Sequence, residues 1–199
     1  MQRNREIRND SAGTTVLPRM LAGVMALIAL AAQFAAAATI AIHATRDGDA
    51  IDIHASALLN ADGATAWRVL TDYNRYPEFI PELRYSRVIA RHDASVTVEQ
   101  AGNALLWLFR LPIEVTFEVE ELPPHHLHSR AVAGTLRTLT SSYALEPASG
   151  GVRLDYVGHV APGYPIFGQI EQTVVERNIA RQFQALADEI ERQSVAAHR

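Results

Sequence analysis

Between Thr39 and Val160 apolar and polar residues alternate mostly with a period of two, and from Ile166 onward the period is near 3.6. The first rhythm predicts strands and the second an amphipathic helix. Residues 39–44 and 50–55 are two alternating runs around Arg46-Asp47-Gly48-Asp49, whose Asp-Gly pair signals a hairpin. Asn60-Ala61-Asp62-Gly63 supplies cap and turn residues for a short helix over 64–71, with Trp67 and Leu70 on one face. A second short helix is expected around 76–80, bounded by Pro77 and Pro81.

Strand-like runs follow at 83–91, 95–101 and 104–109, the last apolar on both faces. Gly102-Asn103 and Pro112 read as breaks. Ile113, Val115, Phe117 and Val119 alternate with Glu114, Thr116, Glu118 and Glu120, the cleanest half-buried strand of the chain. Further strands are expected at 126–132, 136–145 and from Val152 to about Val160, with breaks at Pro123-Pro124, Gly134 and 147–151.

The final helix carries Ile170, Val174, Ile179, Phe183, Leu186 and Ile190 on one stripe. Glu171, Glu176, Arg177, Arg181, Glu189 and Arg192 fall on the opposite side. A one-sided helix of roughly 25 residues spans about 38 Å and must lie on a large apolar surface, for which the sheet is the only candidate. Strands followed by a helix give an α+β fold. The expected architecture is a curved antiparallel sheet of about six to seven strands wrapped around the long C-terminal helix, with two short helices after the first strands.

The first forty residues change the picture of where this domain works. Arg3, Arg5, Arg8 and Arg19 precede an apolar run over 20–32, which leads into the small residues 35–38. A basic segment, an apolar segment and Ala-x-Ala form a secretory signal peptide, with cleavage after Ala36, Ala37 or Ala38 fitting equally well. The boundary expected is 1–37 for the signal and 38–199 for one domain, delivered across the inner membrane to the periplasm if the signal is bacterial. The apolar run is short for a span of about 20 residues, so no stable membrane span is expected after cleavage. An uncleaved anchor is the alternative.

All 18 basic residues are Arg, and there is no Cys. Disulfides, thiol chemistry, Schiff bases and a lysine base are therefore excluded. After the leader, 14 Arg face 20 Asp and Glu, a net charge of −6. That balance argues against nucleic acid and against electrostatic docking on anionic membranes. No nucleophile elbow, phosphate loop or dinucleotide fingerprint is present, so no cofactor is expected.

One stretch carries a family pattern. Ala66-Trp67-Arg68-Val69-Leu70-Thr71-Asp72-Tyr73 runs into Tyr76-Pro77-Glu78-Phe79-Ile80-Pro81 and then Ser86-Arg87-Val88. With the long helix over 168–192, it resembles the START-like helix-grip superfamily, in the polyketide cyclase/dehydrase and coenzyme Q-binding branch. The resemblance covers about residues 48–192. It implies a deep cavity between sheet and long helix that accepts one apolar molecule, but it does not choose a function, since carriers and cyclases share the fold.

Candidate cavity residues are then Tyr76, Phe79 and Ile80 as a gate, with Trp107, Phe109, Phe117, Tyr143, Tyr156, Tyr164, Phe167, Ile170 and Val174 as walls. Three function classes follow. The first is a non-catalytic exported carrier of a lipid, isoprenoid or quinone-like molecule. The second is a cyclase/dehydrase-type enzyme, with His159, Tyr143 and Asp72 as loose catalytic candidates. The third is an interaction module whose groove is filled by its own side chains. Neither a catalytic set nor a metal site is assigned. His126 and His128 share a strand face but lack a visible third ligand. His159 reads as a surface histidine in a loop in preference to a general base at a pocket mouth. Arg110 and Arg137 are candidate partners for a polar head group.

Overall fold

The structure is a computed structural model, and it describes residues 39–106, 109–162 and 169–197. The proposed signal segment, together with Trp107, Tyr164 and Phe167, lies outside the described residues. Among the described residues eight strands form a single antiparallel sheet. They are β1 (Thr39–Asp47), β2 (Ala50–Leu59), β3 (Leu83–His92), β4 (Ser95–Leu106), β5 (Phe109–Leu122), β6 (His126–Gly134), β7 (Leu136–Ala148) and β8 (Gly151–Pro162). Their spatial order is β1-β2-β8-β7-β6-β5-β4-β3, so the chain crosses over between β2 and β3. That crossover holds α1 (Gly63–Leu70), a 3₁₀ turn (Tyr73–Arg75) and α2 (Tyr76–Phe79). The chain closes with α3 (Gln169–Ala197). At 29 residues it is about 43 Å long.

The α+β helix-grip architecture is as expected, with one strand more than the upper count. Two apparent breaks are not breaks. Gly102-Asn103 lies inside β4, where a Cβ on Gly102 would stand 2.6 Å from the carbonyl oxygen of Glu82. The glycine allows β4 to pass close to the chain entering β3, and Asn103 N–H donates to that same carbonyl at 2.9 Å. Pro112 lies inside β5, in the section beyond the reach of β6, where β4 is the only described partner. A strand with one open side tolerates the missing N–H. The irregular pattern of β3 has a similar local cause, since its pairing with β4 shifts register between Leu83 and Tyr85 and again between Val88 and Ala90.

The helices are placed by their caps and buried faces. Asp62 caps α1 by accepting from Thr65 N–H at 2.8 Å. Ala66, Val69 and Leu70 are buried, whereas Trp67 is only partly so. In α3 the expected stripe includes the buried Val174, Phe183, Leu186 and Ile190. Glu189, assigned by periodicity to the polar side, is instead buried at 6 % exposure. It is tolerated there because Arg192 donates to both its oxygens at 2.6 and 2.7 Å, and Gln193 donates at 2.8 Å. No helix among the described residues is long and apolar enough to cross a membrane.

Candidate functional site

Along β5 the side chains of Ile113, Val115, Phe117 and Val119 alternate to the concave face, as the sequence rhythm requires. The same parity brings Val98 of β4, Leu127 of β6, Leu139 and Tyr143 of β7, and Tyr156 and Val160 of β8 to that face. Opposite them stand Val174, Asn178, Ile179, Gln182, Phe183 and Leu186 of α3. Between helix and sheet lies a cavity of about 300 Å³. It is bordered on the crossover side by Tyr73, Tyr76 and Ile80.

The stretch from Asp72 to Pro81 is fastened to α1 and to β3. Tyr76 Oη donates to the carbonyl of Leu70 at 2.6 Å, and Asn74 Oδ1 accepts from Val88 N–H at 2.8 Å. Tyr73, Tyr76 and Phe79 stack edge to face, with centroids 5.8 and 5.7 Å apart. Of the three gate candidates, Tyr76 and Ile80 line the cavity, whereas Phe79 packs behind Tyr76 and is not in the wall. Phe117, Tyr143, Tyr156 and Val174 are in the wall. Phe109 and Ile170 belong to β5 and α3, but their side chains, like Trp107, Tyr164 and Phe167, fall outside what is described.

Four of the described tyrosines face this space, and all are held in the neutral phenol form. Burial pushes Tyr143 and Tyr76 well above the ordinary phenol value, helped by the neighbouring Tyr156 and Tyr73 respectively. Tyr73 is raised by burial and by the Glu121 carboxylate, to which its hydroxyl donates at 3.1 Å. Burial pushes Tyr156 up to about 12 against the opposing hydrogen bond with Ser141. Ser141 also contacts Ser129 at 2.7 Å, so a polar chain of two serines and a tyrosine crosses the floor. Gly158 makes room for the Tyr156 hydroxyl, which lies where a Cβ would point.

Sequence reasoning named Tyr156 but missed the two serines of this floor, together with Glu82, Gln100, Asn178 and Gln182 in the wall. Ser129 and Ser141 were accessible to it, since they are inward by the same parity as Leu127 and Tyr143. Asn178 also carried a signal, because a polar residue on the stripe between Val174 and Phe183 has to be buried. Glu82 carried none. It follows Pro81 in a left-handed conformation (φ +65°) that only the folded chain imposes.

The loose catalytic candidates divide. Tyr143 is in the cavity, but His159 and Asp72 are not. Strand parity places Val160 inward and therefore His159 on the convex face, where its Nδ1 lies 2.7 Å from Asp52 Oδ1. His159 is therefore a surface histidine, within β8 rather than in a loop, and not a base at the pocket mouth. Asp72 instead pairs with Arg75 at 3.6 Å. Arg137 pairs with the exposed Asp49 at 3.6 Å, and Arg110 is exposed outside the wall. His126 and His128 are exposed on β6. Among the described residues no group of three His, Cys, Asp or Glu is placed to hold a metal.

An antiparallel sheet gripping one long helix over a lipophilic cavity is the START-like helix-grip fold, and solved structures agree. A Thermus thermophilus protein of this fold is similar at a TM-score of 0.62 and 16 % identity, covering 73 % of this chain and 98 % of its own. A STAR-related lipid transfer protein from Xanthomonas axonopodis gives 0.62 at 15 % identity, covering 77 % and 98 %. An aromatase/cyclase from a Streptomyces species gives 0.57 at 13 %, covering 78 % and 95 %. At these identities the likeness concerns the fold. Residues 50–194 match the family model described as polyketide cyclase / dehydrase and lipid transport, and the chain belongs to that family. Among curated proteins none matches the sequence. Family and fold together define a domain of the hydrophobic-ligand-binding, START and polyketide-cyclase type.

Proposed function

We propose that this is an exported binding protein that holds one hydrophobic small molecule, of the lipid, isoprenoid or quinone-like kind, between the sheet and α3. The observation that carries the reading is the cavity. Its volume of about 300 Å³ sits at the lower end of the roughly 300–1,000 Å³ usual for ligand sites. A groove filled by its own side chains would leave far less. Aliphatic and aromatic groups dominate the wall, and its tyrosines are neutral donors, which suits binding of an apolar body with a few fixed polar contacts. Export, and with it a periplasmic location, is supported by the basic, apolar and small-residue order of residues 1–37.

Mass spectrometry of an organic extract of native protein from the periplasmic fraction tests both parts. The expected result is a stoichiometric hydrophobic compound and a mature N-terminus near Ala38. An empty protein that also binds nothing in a panel of lipids and quinones would overturn the binding reading. A full-length chain retained in the cytosol would overturn export.

A second reading, a cyclase/dehydrase-type enzyme, is favoured by the polar groups that reach the cavity, Tyr143 and Glu82 above all. Under that reading Tyr143→Phe abolishes turnover of a polyketide substrate and leaves its binding intact. Under the carrier reading there is no turnover to lose.

A further inference from the structure

Of the four tyrosines in the cavity wall, three have engaged hydroxyls. Tyr76 donates to the carbonyl of Leu70 at 2.6 Å and Tyr73 to Glu121 at 3.1 Å, while Tyr156 is bonded to Ser141. The Tyr143 hydroxyl has no partner among the described residues. It is not sealed in either. Among the described residues the fully buried side-chain polar atoms without a partner are Glu82 Oε2 and Arg181 Nε, so the Tyr143 oxygen keeps accessible surface in the wall.

The ring itself is held. Tyr143 stands directly opposite Tyr156 in the pairing of β7 with β8, with ring centroids 4.9 Å apart, and Tyr156 packs in turn on Phe183 of α3 at 6.4 Å. Burial keeps Tyr143 a protonated phenol, and so a donor, at neutral pH. Its polar companions on the floor are hydroxyls as well. Ser129, Ser141, Tyr143 and Tyr156 bring four protons to a group with two bonds, Ser129 to Ser141 and Ser141 to Tyr156. Two O–H donors are left over, and an unmet donor at an apolar wall is costly. A further hydroxyl would add another proton, whereas a carbonyl adds only lone pairs.

From this we propose that Tyr143 is a specificity-determining residue of the cavity, donating to an acceptor-only oxygen of the ketone or quinone carbonyl kind on the bound hydrophobic molecule. The inference rests on the binding reading above. It adds the polar group that the ligand carries and the residue that reads it.

Calorimetric titration of the purified, delipidated protein with 2-nonanone and 2-nonanol tests this, since the two partition almost alike into apolar media and differ at one oxygen. The ketone is expected to bind about fivefold more tightly, the size of one net neutral hydrogen bond. Infrared spectra of the bound ketone should show its carbonyl stretch below the frequency it has in hexane. Tyr143→Phe should abolish the preference and return the band to its hexane position. A merely structural role would weaken both ligands alike and leave the band in place. Equal affinities in the wild-type protein, or a band that Tyr143→Phe does not move, overturns the inference and leaves the binding reading standing. Binding of neither ligand overturns both. Where Tyr143→Phe fails to fold, the wild-type preference and band position decide the matter.

Discussion

Near the C-terminal end of α3, Ala187 and Ile190 are fully buried in one cluster with Leu59, Leu70 and Leu154. Roughly one to four turns earlier, Val174, Asn178 and Phe183 look across the cavity at Phe117, Tyr143 and Tyr156. The sheet is continuous beneath both halves. What differs is α1, which packs beside the C-terminal half, where Arg68 reaches Gln193 at 3.3 Å and Asn60 N–H donates to Glu191 at 2.9 Å. Its small and branched residues Ala66, Val69 and Leu70 fill the wedge between helix and sheet. One amphipathic helix thus packs against α1 along its C-terminal half and faces the cavity along the earlier half, where Gln172 still ties it to β1 by donating to the carbonyl of Ala44 at 2.7 Å. The packed half supplies the stability that lets the other half stay hollow.

The largest effect should come from the packed half. Ile190→Ala, at a fully buried site, is expected to cost about 3–4 kcal/mol in urea unfolding. Phe117→Ala should cost less, about 1–2 kcal/mol, because part of that ring already faces empty space. It should also raise the length of alkyl chain the protein accepts in a displacement titration. Similar costs for the two would erase the distinction between the halves.

Glu189 extends the contrast to electrostatics. The hydrogen bonds from Arg192 hold this buried carboxyl below its usual value, with Gln193 assisting, against the opposing effect of burial. A group with a lowered folded pKa contributes stability above the unfolded value near 4.5, and that contribution is lost as pH falls through the folded one. Acid unfolding below about pH 4.5 should therefore be shallower in Glu189→Gln, which at neutral pH should be about 1–2 kcal/mol less stable.

The hollow half should respond at the opposite end of the pH scale. Its tyrosines are raised above the ordinary phenol value near 10, so their stabilising contribution is complete below pH 10 and fades as pH climbs toward the folded value, about 12 for Tyr156. Phenolate absorbance should appear together with unfolding rather than before it, and bound ligand should delay both. Smallest of all, Asp62→Ala should remove the α1 cap at a cost of about 1 kcal/mol, seen as a lowered urea midpoint with unchanged cavity affinity.

Much of this is legible in the chain itself. Alternation along 113–119 and 152–156 assigns each side chain to a face, because the pleat has a period of two. The stripe on α3 assigns its buried side for the same kind of geometric reason. That is why periodicity and the family pattern together suffice to put Phe117, Tyr143, Tyr156 and Val174 among the wall candidates. The failures also share a cause. Gly102-Asn103 and Pro112 look like breaks until a neighbouring strand shows that one is a close approach and the other an open edge. Glu189 looks solvated until Arg192 is seen to neutralise it. His159 looks close to a mouth until strand parity turns it outward.

The order of elements, the face of most residues and the family are properties of the amino-acid chain alone, because they follow from periodicity and short motifs within one segment. Where the core stays open is not such a property, nor is the meeting of Glu82 with Arg181 of α3 at 3.4 Å. Those facts arise only on folding, since they depend on distances between residues nearly a hundred positions apart, and no local rhythm encodes them.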